Sequence, residues 1–362
     1  MQAYALSKYI KKLNSSFEVE VVDFEYRTKH NHYLMDILIS TDYFGQYRNY
    51  MRYRAFGQVL NTLPLSKRFL DRDTTKVVEY INSKYDLIIC GSDAIFGEKT
   101  LPSIYWLNGG IDVEHKASYA ASAHSRDFDN ISNEQLELMR LSIKSFEYVG
   151  IRDKETEKML MNVTDEKGKI FRNCDPSIFL DLDDLGKELI NENKINLSVP
   201  RQKRVIGTML HDNFINKKIK EKYGKTHLII SLYRHNPYAD IYLYDLNPFE
   251  WAKVFAKFDI FVTKYFHGSI FCLKNNVPVI SLDYSKHVDS YSCKLHDLFS
   301  KLDLKDYYFK RKDIKSEADI KHIFDLMDST LINNKDLKEK IHMSLKNENT
   351  YVNSFGDYLM TL

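Results

Sequence analysis

The stretch Asp259 to Tyr284, DIFVTKYFHGSIFCLKNNVPVISLDY, constrains this chain more than any other. From Asp259 to Phe266 it is an apolar, β-branched and aromatic run, as a strand buried on both faces requires. The run passes directly into His267 and Gly268. A short helix is expected over Ser269 to Asn275, ended by Asn275-Asn276. Val277 to Leu282 reads as a second buried strand, with Pro278 near its start, where a missing N–H is tolerated. This βαβ unit sets an imidazole, a glycine and a hydroxyl where a strand gives way to a helix. Ligands of open α/β sheets bind along that edge, and the free N–H groups of a helix N-terminus attract anions. From the residues alone, a local capping or packing role for His267 stands equally beside a functional one.

The length of 362 residues suits two α/β domains. A formal charge of +2 provides no global field for nucleic acid. Cys90, Cys174, Cys272 and Cys293 lack any CxxC spacing and read as reduced thiols, neither a disulfide framework nor a metal site. No apolar run reaches the length of a membrane span, and the start MQAYALSKYIKKL has no signal-peptide layout. The expectation is a cytoplasmic protein, with contact at the cytoplasmic face of a membrane left open.

The first half, residues 1–190, reads as one Rossmann-like domain. Met1 to Leu13 is helical by periodicity and Phe17 to Phe24 is a strand. A helix before the first strand is unusual for such a domain: either the fold begins differently, or its first strand and glycine loop are missing. Asn31 to Asp73 suggests one or two helices. There Arg48, Arg52, Arg54, Lys67, Arg68 and Arg72 make either a solvated face or a basic surface for acidic lipid or sugar phosphate. Leu87 to Cys90 reads as a central strand ending in Gly91-Ser92-Asp93. Lys116 to His124 is a further strand, and Ser132 with Gln135 forms a capping box. Tyr148 to Ile151 is a strand ending at Arg152, with Asp153 as a helix cap. Arg152 suits either a salt bridge or an anion clamp, because guanidinium matches carboxylate and phosphate as a fork. Asp175-Pro176 is a turn signal.

Asp181 to Arg201 is polar and reads as the connection to a second domain, residues 191–362, in which the α/β rhythm restarts. Val205 to Leu210 and His227 to Tyr233 are strands ending near His211-Asp212 and Arg234-His235. Asn247-Pro248 opens a helix. Helices at Lys294 to Leu302, Glu317 to Leu331, Asp336 to Asn347 and Val352 to Leu359 close the chain. Two doubly wound domains facing each other across a cleft make a glycosyltransferase-B-like layout.

Several blocks, in order, carry a family resemblance: GSDAIFG (Gly91 to Gly97), YAASAHS (Tyr119 to Ser125), GIRDKE (Gly150 to Glu155), CDPSIFL (Cys174 to Leu180), NPFEW (Asn247 to Trp251) and TKYFHGSIF (Thr263 to Phe271). Together they resemble the polysaccharide pyruvyl transferases over nearly the whole chain. Members commonly begin with a strand and an NYGA-like loop before LQAYAL, whereas this chain starts at MQAYAL. Some members with pyruvyl transfer have Arg where Tyr265 stands. Here the nearby cation is Lys264, which points to the opposite face of an extended strand.

The resemblance implies phosphoenolpyruvate as donor, a sugar diol as acceptor (lipid-linked or not), and a cyclic pyruvate ketal as product. It calls for no metal and no further cofactor. Under it, His267 is the general acid or a phosphate contact, since a histidine ordinarily titrates near neutrality. Gly268 and Ser269 would offer backbone contacts to phosphate, Arg152 would clamp the donor anion and Asp93 would be a base for an acceptor hydroxyl. Ser92, Lys264 and Arg234, with His235, are further binding candidates at strand ends. Two other readings stay open: a nucleotide-sugar glycosyltransferase with Asp283 gripping a ribose, and a truncated, non-catalytic relic.

Overall fold

Every strand ladder among the described residues is parallel. The computed structural model describes all residues except 29, 32–34, 36–42, 98–102, 124–130, 198–202 and 286–293. The parts of the expected strands and helices that fall on those numbers, His124 and Ser125 among them, lie outside the described residues.

The first half opens with helix α1 (Gln2–Leu13), followed by β1 (Phe24–Tyr26), α2 (Tyr43–Gly57), β2 (Phe69–Asp71) and α3 (Thr75–Lys84). Among the described residues β1 and β2 pair only with each other. A separate sheet contains β3 (Leu87–Asp93), β4 (His115–Ala121), β5 (Tyr148–Ile151) and β6 (Ile170–Arg172), in that order. The parallel part of this half is thus divided into two ladders, and β3 is an edge strand rather than the central one its apolar run suggests. Its residues Leu87, Ile88 and Ile89 are only partly buried, whereas Ala117 to Ala121 of β4 are fully covered. The strand expected over Phe17 to Phe24 is confined to the β1 ladder and one bridge, Val21 to Leu65. β2, unforeseen, is its partner. Between the strands lie α4 (Asn133–Ser145) and α5 (Lys154–Val163), and a short helix, α6 (Pro176–Phe179), follows β6. The Ser132–Gln135 capping box forms as the sequence requires, worth about 1 kcal/mol.

The second half contains β7 (Arg204–Met209), α7 (Asn213–Tyr223), β8 (His227–Leu232), β9 (Ile241–Leu243), α8 (Pro248–Val254), β10 (Ile260–Thr263), α9 (Phe266–Lys274), β11 (Val279–Asp283), α10 (Lys294–Lys301), β12 (Tyr308–Lys310), α11 (Glu317–Ile332), α12 (Lys335–Asn349) and α13 (Asn353–Leu359). Its sheet runs β12-β11-β10-β7-β8-β9. All four residues of β10 are buried, as a strand covered on both faces demands. Its Phe261 packs against Phe255 and Phe258, Phe271 stacks on Phe255, and each ring so buried contributes about 1.5–3 kcal/mol. The helix after β10 begins at Phe266, not Ser269, so His267 lies inside its first turn.

The last helices do not stay with the second half. Ser354 Oγ lies 2.9 Å from the Tyr148 hydroxyl on β5, and Phe355 and Tyr358 set their rings 5.2 and 5.3 Å from that of Tyr148. Asn173 also donates to the Tyr351 carbonyl at 3.1 Å. The C-terminal helices therefore fasten the two halves together.

Candidate active site

The parallel sheets bring the C-terminal ends of β3 and β5 and the cap of α6 opposite the start of α9 and α10. Asp175 is the hub. Its Oδ1 caps α6 by accepting from the Ser177 N–H at 2.9 Å, and Pro176 at the first helical position makes that cap favourable. Its Oδ2 accepts from Arg152 Nη1 at 2.6 Å and from Gln2 Nε2 at 2.8 Å. His267 Nε2 lies 3.5 Å from the same oxygen, an ion-pair separation at the outer limit of hydrogen bonding. Burial opposes the charge on Asp175, but His267 and Arg152 hold the carboxyl far below the ordinary carboxylate range.

Arg152 fills the space between two acids. Its Nη2 donates to Asp93 Oδ1 at 2.8 Å, and Lys294 Nζ reaches the same oxygen at 3.2 Å. Its guanidinium stacks 4.6 Å from the ring centre of Phe266, the first residue of α9. Asp93 is likewise pulled well below the ordinary range: burial raises its pKa, and Arg152 and Lys294 more than reverse that. The Asp93 backbone is left-handed, with φ 73°, a strained conformation that tends to gather at functional sites. The side chains of Asp93 and His267 remain 41% and 29% exposed, against 4% for Arg152 and 2% for Asp175. Asp93 and His267 are therefore open to solvent, while Arg152 and Asp175 hold them in place.

This geometry corrects two expectations. Arg152 commits each terminal nitrogen to a carboxylate within the fold, and its buried Nε has no hydrogen-bond partner among the described residues, so it reads first as a salt-bridge residue and not as a free anion clamp. Ser269 donates both its N–H and its hydroxyl to the Tyr265 carbonyl, at 3.0 and 3.3 Å, and is fully buried. It is a packing residue, not a phosphate contact. Gly268 stays within the first turn, where helical N–H groups lack intrahelical acceptors. A Cβ there would press on Met209 and come within 2.9 Å of Thr263 Oγ1, so close packing on β7 and β10 already requires the glycine. Ser92 Oγ is buried with no hydrogen-bond partner among the described residues. The low pKa of Asp93 makes it a weak base, better suited to accepting a hydrogen bond than to removing a proton. Asp283, weighed above for a ribose, accepts instead from Ser285 Oγ at 2.9 Å and Tyr308 OH at 2.5 Å.

Sequence reasoning missed Asp175 as more than a turn, and it missed Gln2, Phe266 and Lys294 altogether. The Asp-Pro pair was a legible helix-start signal. The other three gain meaning only from partners far away in the chain. α10 makes further contacts between the halves: Arg172 reaches Asp297 at 3.2 Å and Lys301 donates to the Arg152 carbonyl at 2.8 Å. A narrow recess of about 10 Å³ adjoins the site and shares Arg152, Asp175, Phe266 and Lys294 with it. No group of His, Cys, Asp and Glu suited to a metal ion occurs among the described residues. None of their helices is long and apolar enough to cross a membrane.

Two parallel α/β units whose strand ends face each other over a charged cleft define a glycosyltransferase-B-like protein. The UDP-GlcNAc 2-epimerase from Neisseria meningitidis, bound to UDP-GlcNAc, aligns with a TM-score of 0.55 at 12% identity, over 95% of this chain and 100% of that one. A second UDP-N-acetylglucosamine 2-epimerase structure gives 0.55 at 11% identity, over 96% and 97%. At such identity the likeness establishes the fold alone. No curated protein matches by sequence. Residues 1–286 match the model of the polysaccharide pyruvyl transferase family, and the chain belongs to that family.

Proposed function

We propose that the protein transfers the pyruvyl group of phosphoenolpyruvate to two hydroxyls of a sugar, forming a cyclic ketal during the assembly of a cell-surface polysaccharide on the cytoplasmic side. The observation that carries this reading is His267: it is partly exposed, sits in the first turn of α9 and is backed by the anionic Asp175. In the reaction the donor methylene carbon gains a proton. A sugar oxygen then bonds to C2, and a second sugar oxygen displaces phosphate as the C2–O(phosphate) bond breaks. One hydroxyl proton balances the proton gained by carbon, and the other leaves with phosphate. His267 would deliver the proton to carbon, a role that suits a positioned imidazole. Asp93 would accept a hydrogen bond from an acceptor hydroxyl. Ser92 Oγ and the N–H of Gly268 would offer polar contacts to the donor, while Asp175 and Arg152 would position His267 and Asp93.

The test supplies phosphoenolpyruvate with lipid-linked and nucleotide-linked sugars and measures phosphate release. Release that needs both donor and sugar, and that is lost in His267→Ala, supports the reading. Turnover of a nucleotide sugar without phosphoenolpyruvate overturns it.

A further inference from the structure

A second charged cluster lies along the same edge of the second sheet, and the network around Asp175 does not use it. In that sheet β7 is flanked by β8 on one side and β10 on the other. The chain thus leaves β7 in opposite directions, which makes a switch-point crevice. Each of the three strands delivers a basic side chain just past its C-terminal end. His211 follows β7, Arg234 follows β8 and Lys264 follows β10. Arg52 of α2 joins them from the first half.

Their contacts are chiefly with aromatic rings. The ring of Tyr233 lies 4.5 Å from the Arg52 guanidinium and 4.6 Å from that of Arg234, so two like charges are gathered on one aromatic ring. Tyr233 itself is left-handed, with φ 61°. Arg234 Nε donates to the Tyr265 hydroxyl at 2.6 Å, which fixes the guanidinium and leaves its two terminal nitrogens without a hydrogen-bond partner among the described residues. Lys264 Nζ lies 5.4 and 5.2 Å from the rings of Tyr265 and Tyr284. Arg52 uses Nη2 on the Tyr233 carbonyl and the Tyr242 hydroxyl, while its Nε is buried without a partner. Among the described residues no carboxylate comes within ion-pair distance of Arg52, Arg234 or Lys264. The neighbouring acid, Asp212, is engaged by the Ile215 N–H, Tyr284 and Arg311.

Arg152, by contrast, is buried and neutralised by two acids. Here Arg52, Arg234 and Lys264, each partly exposed, are collected with no carboxylate partner among the described residues. The charged forms of His211 and Lys264 are disfavoured, first by burial and then by Arg234. A multiply charged anion would relieve that repulsion, and guanidinium suits phosphate oxygens in particular.

We propose that Arg234, Lys264 and His211, with Arg52, form a binding site for a phosphoryl group carrying two or more negative charges, either a phosphate ester or a diphosphate. The group belongs either to the donor or to an activated, diphosphate-linked acceptor. The inference deepens the pyruvyl transfer reading and rests on it only for the choice of probes.

Calorimetric titration of the full chain with phosphoenolpyruvate, inorganic pyrophosphate and UDP, without any sugar, tests it. At least one probe binds the wild-type protein, and Arg234→Gln with Lys264→Gln weakens that binding by at least about tenfold. The exposed Lys346→Gln matches the charge change of one substitution and leaves affinity unaltered. Tyr265→Phe, which frees Arg234 Nε, weakens binding by several-fold while thermal unfolding reports an intact fold. Loss confined to phosphoenolpyruvate assigns the site to the donor, and loss for pyrophosphate or UDP assigns it to an acceptor. Absence of binding by all three probes, or equal affinity in the double variant, overturns the proposal. Binding without ketal formation keeps the site and removes the pyruvyl reading.

Discussion

His267 Nε2 lies 3.5 Å from Asp175 Oδ2, joining the first turn of a helix in the second half to the cap of a helix in the first. Because that carboxylate also accepts from Arg152 and Gln2, the imidazole is held against a buried acid whose charge is already balanced. Asp175 thus links the stability of the domain pair to the position of the group proposed to move a proton.

Asp175→Asn should therefore act on stability before chemistry. Breaking one arm of a buried ion pair costs about 3–5 kcal/mol, since the remaining charge is left uncompensated. Urea unfolding is expected to show a loss of this order. An unchanged midpoint would mean that Arg152 is satisfied by Asp93 alone.

His267→Ala should do the reverse. The side chain is partly exposed, and Arg152 and Gln2 still pair with Asp175 in its absence, so the unfolding midpoint should move less than in Asp175→Asn. Loss of a general acid lowers turnover by about a hundred- to ten-thousand-fold. Phosphate release with donor and acceptor at saturation is the measurement, and full activity would exclude the assigned role.

Acid should weaken the protein in a defined window. Asp93 and Asp175 both have folded pKa values below their unfolded ones. Their contribution is complete above the unfolded value of about 3.9 and is lost as pH falls from there through the folded values. Stability measured from about pH 5 downward should drop steeply in the wild type and more gently in Asp175→Asn. Parallel curves would deny the linkage.

Lys274 gives the opposite sign. Burial pushes its pKa down to about 8, below an unfolded value of about 10.4. The charged folded form is thus penalised at neutral pH, and stability relative to Lys274→Met should rise as pH climbs through this interval. Comparison of the two unfolding curves on either side of pH 8 checks the direction.

Gly91→Ala should fail at the edge of the site. Gly91 has φ 144°, and a Cβ would collide with the Tyr119 carbonyl oxygen of the adjacent strand. Overpacking and backbone strain each cost about 1–3 kcal/mol. Urea unfolding should register their sum, together with lost phosphate release, because Asp93 lies two residues further along the chain.

The sequence alone determined the local elements. The apolar run before His267 is a strand, the Ser132–Gln135 box and Asn247-Pro248 open helices, and Asp153 is a cap. These follow from periodicity and from hydrogen bonds spanning only a few residues. It also placed His267, Asp93, Arg152, Arg234 and Lys264 at strand ends, because strand ends are visible wherever an apolar run stops. The tertiary structure decided what those side chains do. Whether an arginine clamps a ligand or neutralises two acids depends on partners such as Asp93 and Asp175, which are remote in the chain and leave no local trace. The same holds for β2, β9 and β12, three-residue strands whose existence depends on a neighbouring edge. Arg152 and Arg234 look alike in the sequence. Only the fold surrounds one with carboxylates and leaves the other with tyrosines, and a charge in a low-dielectric cleft takes its role from what it faces.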